Sequence, residues 1–151
     1  MSEAGLAAVP GAGAGADQGG PSEQALLRQQ HAQDDLCAAS ARALSAEADL
    51  HYRQRRLYRH NQRLPDFAPH LHPVHGQDDW RSFRAASDGA ALRLRHSDAV
   101  LHRALCERQP LMPLERLIVE MLEQIRVESL APELGLPGAA HNLRHRFEVW
   151  A

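Results

Sequence analysis

The stretch Pro113-Leu-Glu-Arg-Leu-Ile-Val-Glu-Met-Leu-Glu-Gln-Ile-Arg-Val-Glu128 decides the fold class. Leu114, Leu117, Ile118, Met121, Leu122 and Ile125 step by 3, 1, 3, 1 and 3, the spacing of one face of an α-helix. Glu115, Glu120 and Glu123 fill the other face. Pro113 suits a first helical position, where a backbone N–H would lack a partner anyway. Pro132 and Gly135 close the element.

Working outward, the chain repeats this kind of pattern. A helix should begin around Pro137 and carry Ala140, Leu143 and Phe147 inward. Upstream, Trp80, Phe83, Ala90, Leu94, Leu101 and Leu105 trace one face of a helix that Asp78 or Asp79 can cap, with Pro110 and Pro113 after it. Ser87-Asp88-Gly89 interrupts that face, and a glycine costs about 1 kcal/mol against alanine in a helix interior, so a kink or fresh start is expected there. Residues 65–77 hold Pro65, Pro69, Pro73 and Gly76 and read as a loop. A further helix should run from Ser22 into the late forties, with Cys37, Ala41, Leu44 and Ala48 on one face.

Residues 50–64 read two ways. Leu50, Leu57 and Leu64 recur every seven positions, as a helix would have them, while Leu50 and Tyr52 alternate as a short strand would. Residues 1–21 are mostly Ala and Gly and cannot bury enough surface to offset their ordering entropy. The expected architecture is all-α: a small bundle of about four helices over 22–151, a minor strand at most, and a disordered tail over 1–21.

Composition agrees. Hydrophobic residues make up 44% but aromatic ones only 5%, so the core must come from Leu, Ala, Val and Ile. All 17 basic residues are Arg. Without a lysine there is neither a Schiff-base amine nor a Walker A loop. No nucleophile with its base and no cofactor motif stands out, so neither a catalytic residue nor a bound cofactor is expected of this chain alone. Net charge is -2, yet residues 51–108 hold 11 Arg against 6 acids while residues 1–50 hold 2 Arg against 7. An anionic partner would therefore meet the middle third. Cys37 and Cys106 fall on apolar helical positions and read as buried thiols. The start carries Glu3 and no basic residue, which is unlike a signal peptide. No apolar run reaches the length of a membrane span. The expected location is cytoplasmic.

Three stretches then carry a resemblance: Asp88-Gly-Ala-Ala-Leu-Arg-Leu-Arg-His-Ser-Asp-Ala-Val-Leu-His102, Glu120-Met-Leu-Glu-Gln-Ile-Arg-Val-Glu-Ser-Leu130 and Gly135-Leu-Pro-Gly-Ala-Ala-His-Asn-Leu143. In that order they resemble successive motifs of the T subunit of aerobic cobaltochelatase, and Arg42-Ala-Leu-Ser-Ala-Glu-Ala-Asp-Leu50 resembles the exit of that family's first helix. The likeness covers about residues 36–148. Ser97 stands where the family often has a second His after His96, and Ala131-Pro132 replaces a small-residue turn. The Asp-x-Ser-x-Ser signature of the family's von Willebrand A-type domain does not occur in this sequence, so its metal site does not carry over. The resemblance implies an accessory role in a complex that inserts cobalt into a corrin ring with ATP hydrolysis. The implied partners are an AAA+ ATPase subunit and a large corrin-binding subunit. Cobalt and ATP belong to the complex.

Three groups of residues are candidates for a site. Arg95, Asp98 and His102, with His96 among them, step by three and four along one helix; Glu123, Arg126 and Glu128 lie on the next, and Asn142 with His141 at the start of the last. These would form either a polar network that fixes helix register or a partner-binding face. His70, His72 and His75 could ligate zinc or cobalt, although solvated loop histidines are the simpler reading. Arg53, Arg55, Arg56, Arg59 and Arg63, interleaved with Tyr52 and Tyr58, could grip phosphates and stack on bases. A nucleic-acid module is thus the alternative to the scaffold reading, and a generic helical interaction domain is a third. Phe147 and Trp150 at an apolar end leave self-association open.

Overall fold

Ser22 and Asp79 start two helices in the same way. Each side chain accepts a hydrogen bond from the backbone N–H three residues on, Ala25 at 3.3 Å and Ser82 at 2.6 Å. A computed structural model describes residues 22–72, 79–108 and 112–151, apart from the side chains of Cys106 and Arg108. The expected tail over 1–21 therefore lies outside the described residues, as does the reading of Cys106 as a buried thiol.

Five helices are present among the described residues: α1 (Glu23–Ser45), α2 (Trp80–His96), α3 (Ala99–Arg108), α4 (Pro113–Glu128) and α5 (Pro137–Trp150). Three short strands lie between the first two helices: β1 (Leu50–Arg53), β2 (Arg56–Arg59) and β3 (Gln62–Arg63), antiparallel in that order. A single 3-10 turn, Pro69–Leu71, follows. Helix α2 is central, and α1, α4, α5 and the 3-10 turn all pack on it. One apolar cluster joins α1, the sheet and α2 through Ala41, Leu50, Leu57, Leu64, Ala90 and Ala91. A second joins α2, α4 and α5 through Leu92, Val127, Ala131 and Leu143.

The fold is mostly helical but not all-α, and it has five helices where about four were expected. The period of seven at Leu50, Leu57 and Leu64 belongs to a meander of short strands and tight turns. Each leucine arrives on the same side of the sheet and is buried there. The β1–β2 turn has φ of 51° at Gln54 and 59° at Arg55, backbone that ordinarily calls for Asn or Gly. The amides of Gln54 and Arg55 favour the charge of the buried Asp34 carboxyl of α1, which supports the turn without a glycine.

The break in the second helix also falls elsewhere. Helix α2 runs through Gly89 and ends at His96. Asp98 then caps α3 by accepting from the N–H groups of Val100 and Leu101, both at 2.9 Å. The reason is packing. A Cβ on Gly89 would lie 2.9 Å from Glu128 Oε1, 3.0 Å from Leu71 Cδ2 and 3.2 Å from Leu143 Cδ2. Glycine here is a point of close approach for three elements and does not interrupt the helix.

Candidate functional site

Three buried or half-buried carboxylates organise the polar side chains, each at a junction of helices. Asp88 of α2, 1% exposed, is held by Arg84 Nε at 2.9 Å, Ser40 Oγ at 3.2 Å and Asn142 Nδ2 at 3.3 Å. It ties α1 and α5 to α2. Arg84 and Asp88 are four apart on the same helix, which is the spacing that lets side chains meet.

Glu128, at the end of α4, forms the second junction. His70 Nε2 lies 2.9 Å from its Oε1, and Gln124 Nε2 donates to the same oxygen at 2.8 Å. Gln124 Nε2 also donates to the backbone oxygen of Gly89 at 3.0 Å. Beneath the 3-10 turn, Arg146 is fully buried. Its Nε donates to the His70 carbonyl at 2.6 Å, and its two other nitrogens reach Ser82 Oγ and the His72 carbonyl. A guanidinium out of water needs its fixed fork of donors matched, and these acceptors do so. The edges of Phe147 and Trp150 close over His70 with ring centroids 5.8 and 6.1 Å away. The two C-terminal aromatics thus touch the fold through His70 while remaining exposed.

Glu120 is the third junction. It accepts from Arg93 Nη2 at 2.7 Å and pairs with His102 Nε2 at 2.8 Å. Arg93 is 4% exposed and also lies over the Phe67 ring, 5.8 Å from its centroid. The open cleft beside this trio is edged by Arg59, Arg103 and Arg116 and by one further acid, Glu107; Arg103, Arg116 and Glu107 are exposed. Further along α4, Glu123 accepts from Arg126 at 2.6 and 2.7 Å, and Arg126 donates onward to the His96 carbonyl at 2.8 Å. The Arg126 hydrogen bond holds the Glu123 carboxyl at about 2, well below its ordinary 4.5.

The residues singled out by spacing are distributed among these junctions. Arg95, Asp98 and His102 do not share one helical face, because the chain breaks at Ser97. Arg95 donates to the Leu44 carbonyl at 3.2 Å, Asp98 caps α3, and only His102 joins Glu120. Glu123 with Arg126, Glu128, Asn142 and the His96 carbonyl do bridge helices. The members that spacing did not single out are Arg93, Glu120, Asp88, Arg84, Gln124 and Arg146. Pairs four apart, Arg84 with Asp88 and Gln124 with Glu128, carried a signal; Phe147, expected inward, is 41% exposed, and the adjacent Arg146 is the buried residue instead.

The basic segment is largely engaged within the fold. Arg59 makes two hydrogen bonds to Glu47, at 2.8 and 2.7 Å. Arg56 and Arg63 converge on Asp66 Oδ2 at 3.4 and 2.9 Å. Arg55 donates to Gln33 and lies over Phe83, and Arg53 lies over Tyr58. Much of the charge that a phosphate backbone would need is spent internally.

The histidine loop divides. His70 is buried against Glu128, whereas His72 is exposed, and His75 lies outside the described residues. Among the described residues no group of three His, Cys, Asp or Glu side chains is placed to hold a metal ion. Burial pushes the Cys37 thiol up to about 12, so it is not a nucleophile at neutral pH. No helix among the described residues is long and apolar enough to cross a membrane.

These features define a mainly helical domain whose charged side chains are used to set one helix against another, with an arginine-edged cleft left open. The family model described as cobalamin biosynthesis protein CobT matches residues 28–149, and the chain belongs to that family. No curated protein and no solved structure matches the chain.

Proposed function

We propose that this chain is an accessory region of an ATP-dependent cobaltochelatase that acts by docking to its partner subunits. The observation that carries the reading is the family match over residues 28–149, which runs from the first turns of α1 to the end of α5. Cobalt and the corrin ring are substrates of the assembled enzyme. The AAA+ subunit binds and splits the ATP, a task for which this lysine-free chain has no Walker A loop.

Docking fits the chemistry of the side chains better than catalysis does. Asp88, Glu120 and Glu128 are each bonded to a cation, amide or imidazole of another element, Asn142, Arg93 and His70 respectively. A charge held in that way sets register and has little freedom to move a proton in a reaction. Arg103 and Arg116, by contrast, stand exposed at the cleft edge and suit an acidic surface on a partner. The test is to pull down the AAA+ and large subunits with this chain and to read cobalt insertion from the assembled mixture. Co-purification with the ATPase subunit is expected. Association with neither subunit overturns the proposal.

A further inference from the structure

The alternation of side chains along the strands sorts the basic segment into two sets. Leu50, Tyr52 and Leu57 face the core. Residues level with one another across an antiparallel pair share a face of the sheet. Arg59, level with Leu50, therefore stands on the inner side, where it is bonded to Glu47. The alternate residues point outward: His51 level with Tyr58, Tyr58 level with Arg63, and Arg53 level with Arg56. On that outer face Arg53, Arg56 and Arg63 are exposed, and His51 and Tyr58 are half-buried.

The three outward arginines share one carboxylate. Arg56 reaches Asp66 through Nη1 and Arg63 through Nη2, yet 44% and 46% of their side chains stay in water. A guanidinium carries five N–H donors in a fixed fork, and each of these two spends one nitrogen on Asp66. Arg53 has no ion pair among the described residues and lies over the Tyr58 ring, 5.5 Å from its centroid. His51 stacks on the same ring, with centroids 5.6 Å apart and an interplanar angle of 18°. That stack holds Arg53 against the sheet before any partner arrives, which lowers the ordering cost of binding. At the end of the sheet Asp49 lies 3.5 Å from His60.

The chemistry of the face selects among anions. Free guanidinium forks match a carboxylate with two parallel hydrogen bonds. A nucleic acid is held chiefly by the number of phosphates it has neutralised, and the small surplus of positive charge beside Asp66 neutralises few. Its bases also need an open ring to stack on, whereas Tyr58 is engaged by His51 and Arg53.

We infer that the outer face of the sheet is a docking surface for an acidic segment of a protein partner, whose carboxylates are gripped by Arg53, Arg56 and Arg63. The surface is distinct from the cleft edged by Arg103 and Arg116, and the inference does not rest on which chelatase subunit docks there.

The test is a fluorescence-anisotropy titration with a short labelled oligoglutamate peptide, at low and at physiological salt. It uses the full chain with the cleft silenced by Arg103→Gln and Arg116→Gln. Saturable binding is expected, weakening as salt rises, with oligoglutamine of the same length unbound. Adding Arg53→Gln and Arg63→Gln should weaken it at least tenfold with the circular dichroism unchanged, since both side chains are exposed. Shifts of the His51 and Tyr58 ring protons on adding peptide to the parent chain give a second reading that needs no substitution on the face. No binding at low salt, binding indifferent to Arg53→Gln with Arg63→Gln, or ring protons that do not move overturns the inference. So does tighter binding of oligothymidylate of the same length, which would mark a nucleic-acid surface. No chelatase subunit enters the titration, so its failure leaves the docking proposal above untouched.

Discussion

Glu128 Oε1 stands 2.9 Å from the point where a side chain on Gly89 would begin. The same oxygen takes hydrogen bonds from His70 and Gln124, so it cannot step aside without releasing both. Gly89→Ala should therefore destabilise the fold by about 1–3 kcal/mol through overpacking, although alanine favours the helix by about 1 kcal/mol. Urea denaturation reads the sign. A more stable variant would mean that α4 can move off α2 at no cost.

Arg146→Met makes a second prediction. The thioether fills part of the space but donates nothing to the His70 and His72 carbonyls or to Ser82. Buried acceptors left without donors cost about 1–3 kcal/mol each, so a loss of several kcal/mol is expected, with the 3-10 turn opening first. Hydrogen exchange at Leu71 and His72, whose amides bond back to Ala68 and Pro69, would show the local opening.

Acid should act on the Glu123–Arg126 pair. The folded carboxyl is held at about 2 against an ordinary 4.5, so folding favours its charged form. Its contribution is complete above about 4.5 and is lost as pH falls through about 2. The effect is modest, because the Arg126 side chain is half in water. Glu123→Gln should lower stability slightly near neutrality, lack the parent's fall between those two values and converge with the parent below about 2. An acid limb identical to the parent's would show that the pair does not couple to folding.

Asp34 pulls two ways. Burial raises its carboxyl above the usual aspartate range, while the amides of Gln54 and Arg55 favour the charge. Asp34→Asn keeps an acceptor for the turn and removes a buried charge, so its stability should match or exceed the parent's at pH 7. Asp34→Ala leaves two left-handed residues unsupported and should cost about 1–2 kcal/mol. Equal loss in both variants would mean that the charge itself matters.

How much of this was legible in the sequence follows from what each pattern reports. Helix starts at Ser22, Asp79 and Pro113 could be read because capping is local chemistry. Leu50, Leu57 and Leu64 looked helical because a meander of short strands repeats at nearly the same interval as two helical turns. Gly89 looked like a break because propensity sees one residue and not the three elements converging on it. The stripe of α4 signalled a helix correctly, but periodicity does not say what covers an apolar face, and Leu114, Ile118 and Leu122 stay exposed among the described residues. Of the site, the Glu123–Arg126 pair was visible from spacing. Arg93 with Glu120, and Arg146 with the His70 and His72 carbonyls, were not, because contacts across 27 and 76 positions leave no local trace.

Docking onto a cobaltochelatase is read from the affinity of the AAA+ subunit for this chain. Titration at physiological salt should give saturable binding that Arg103→Glu with Arg116→Glu weakens at least tenfold, with the circular dichroism spectrum unchanged. Saturable binding indifferent to both substitutions would place the docking surface elsewhere. No binding at all would contradict the claim.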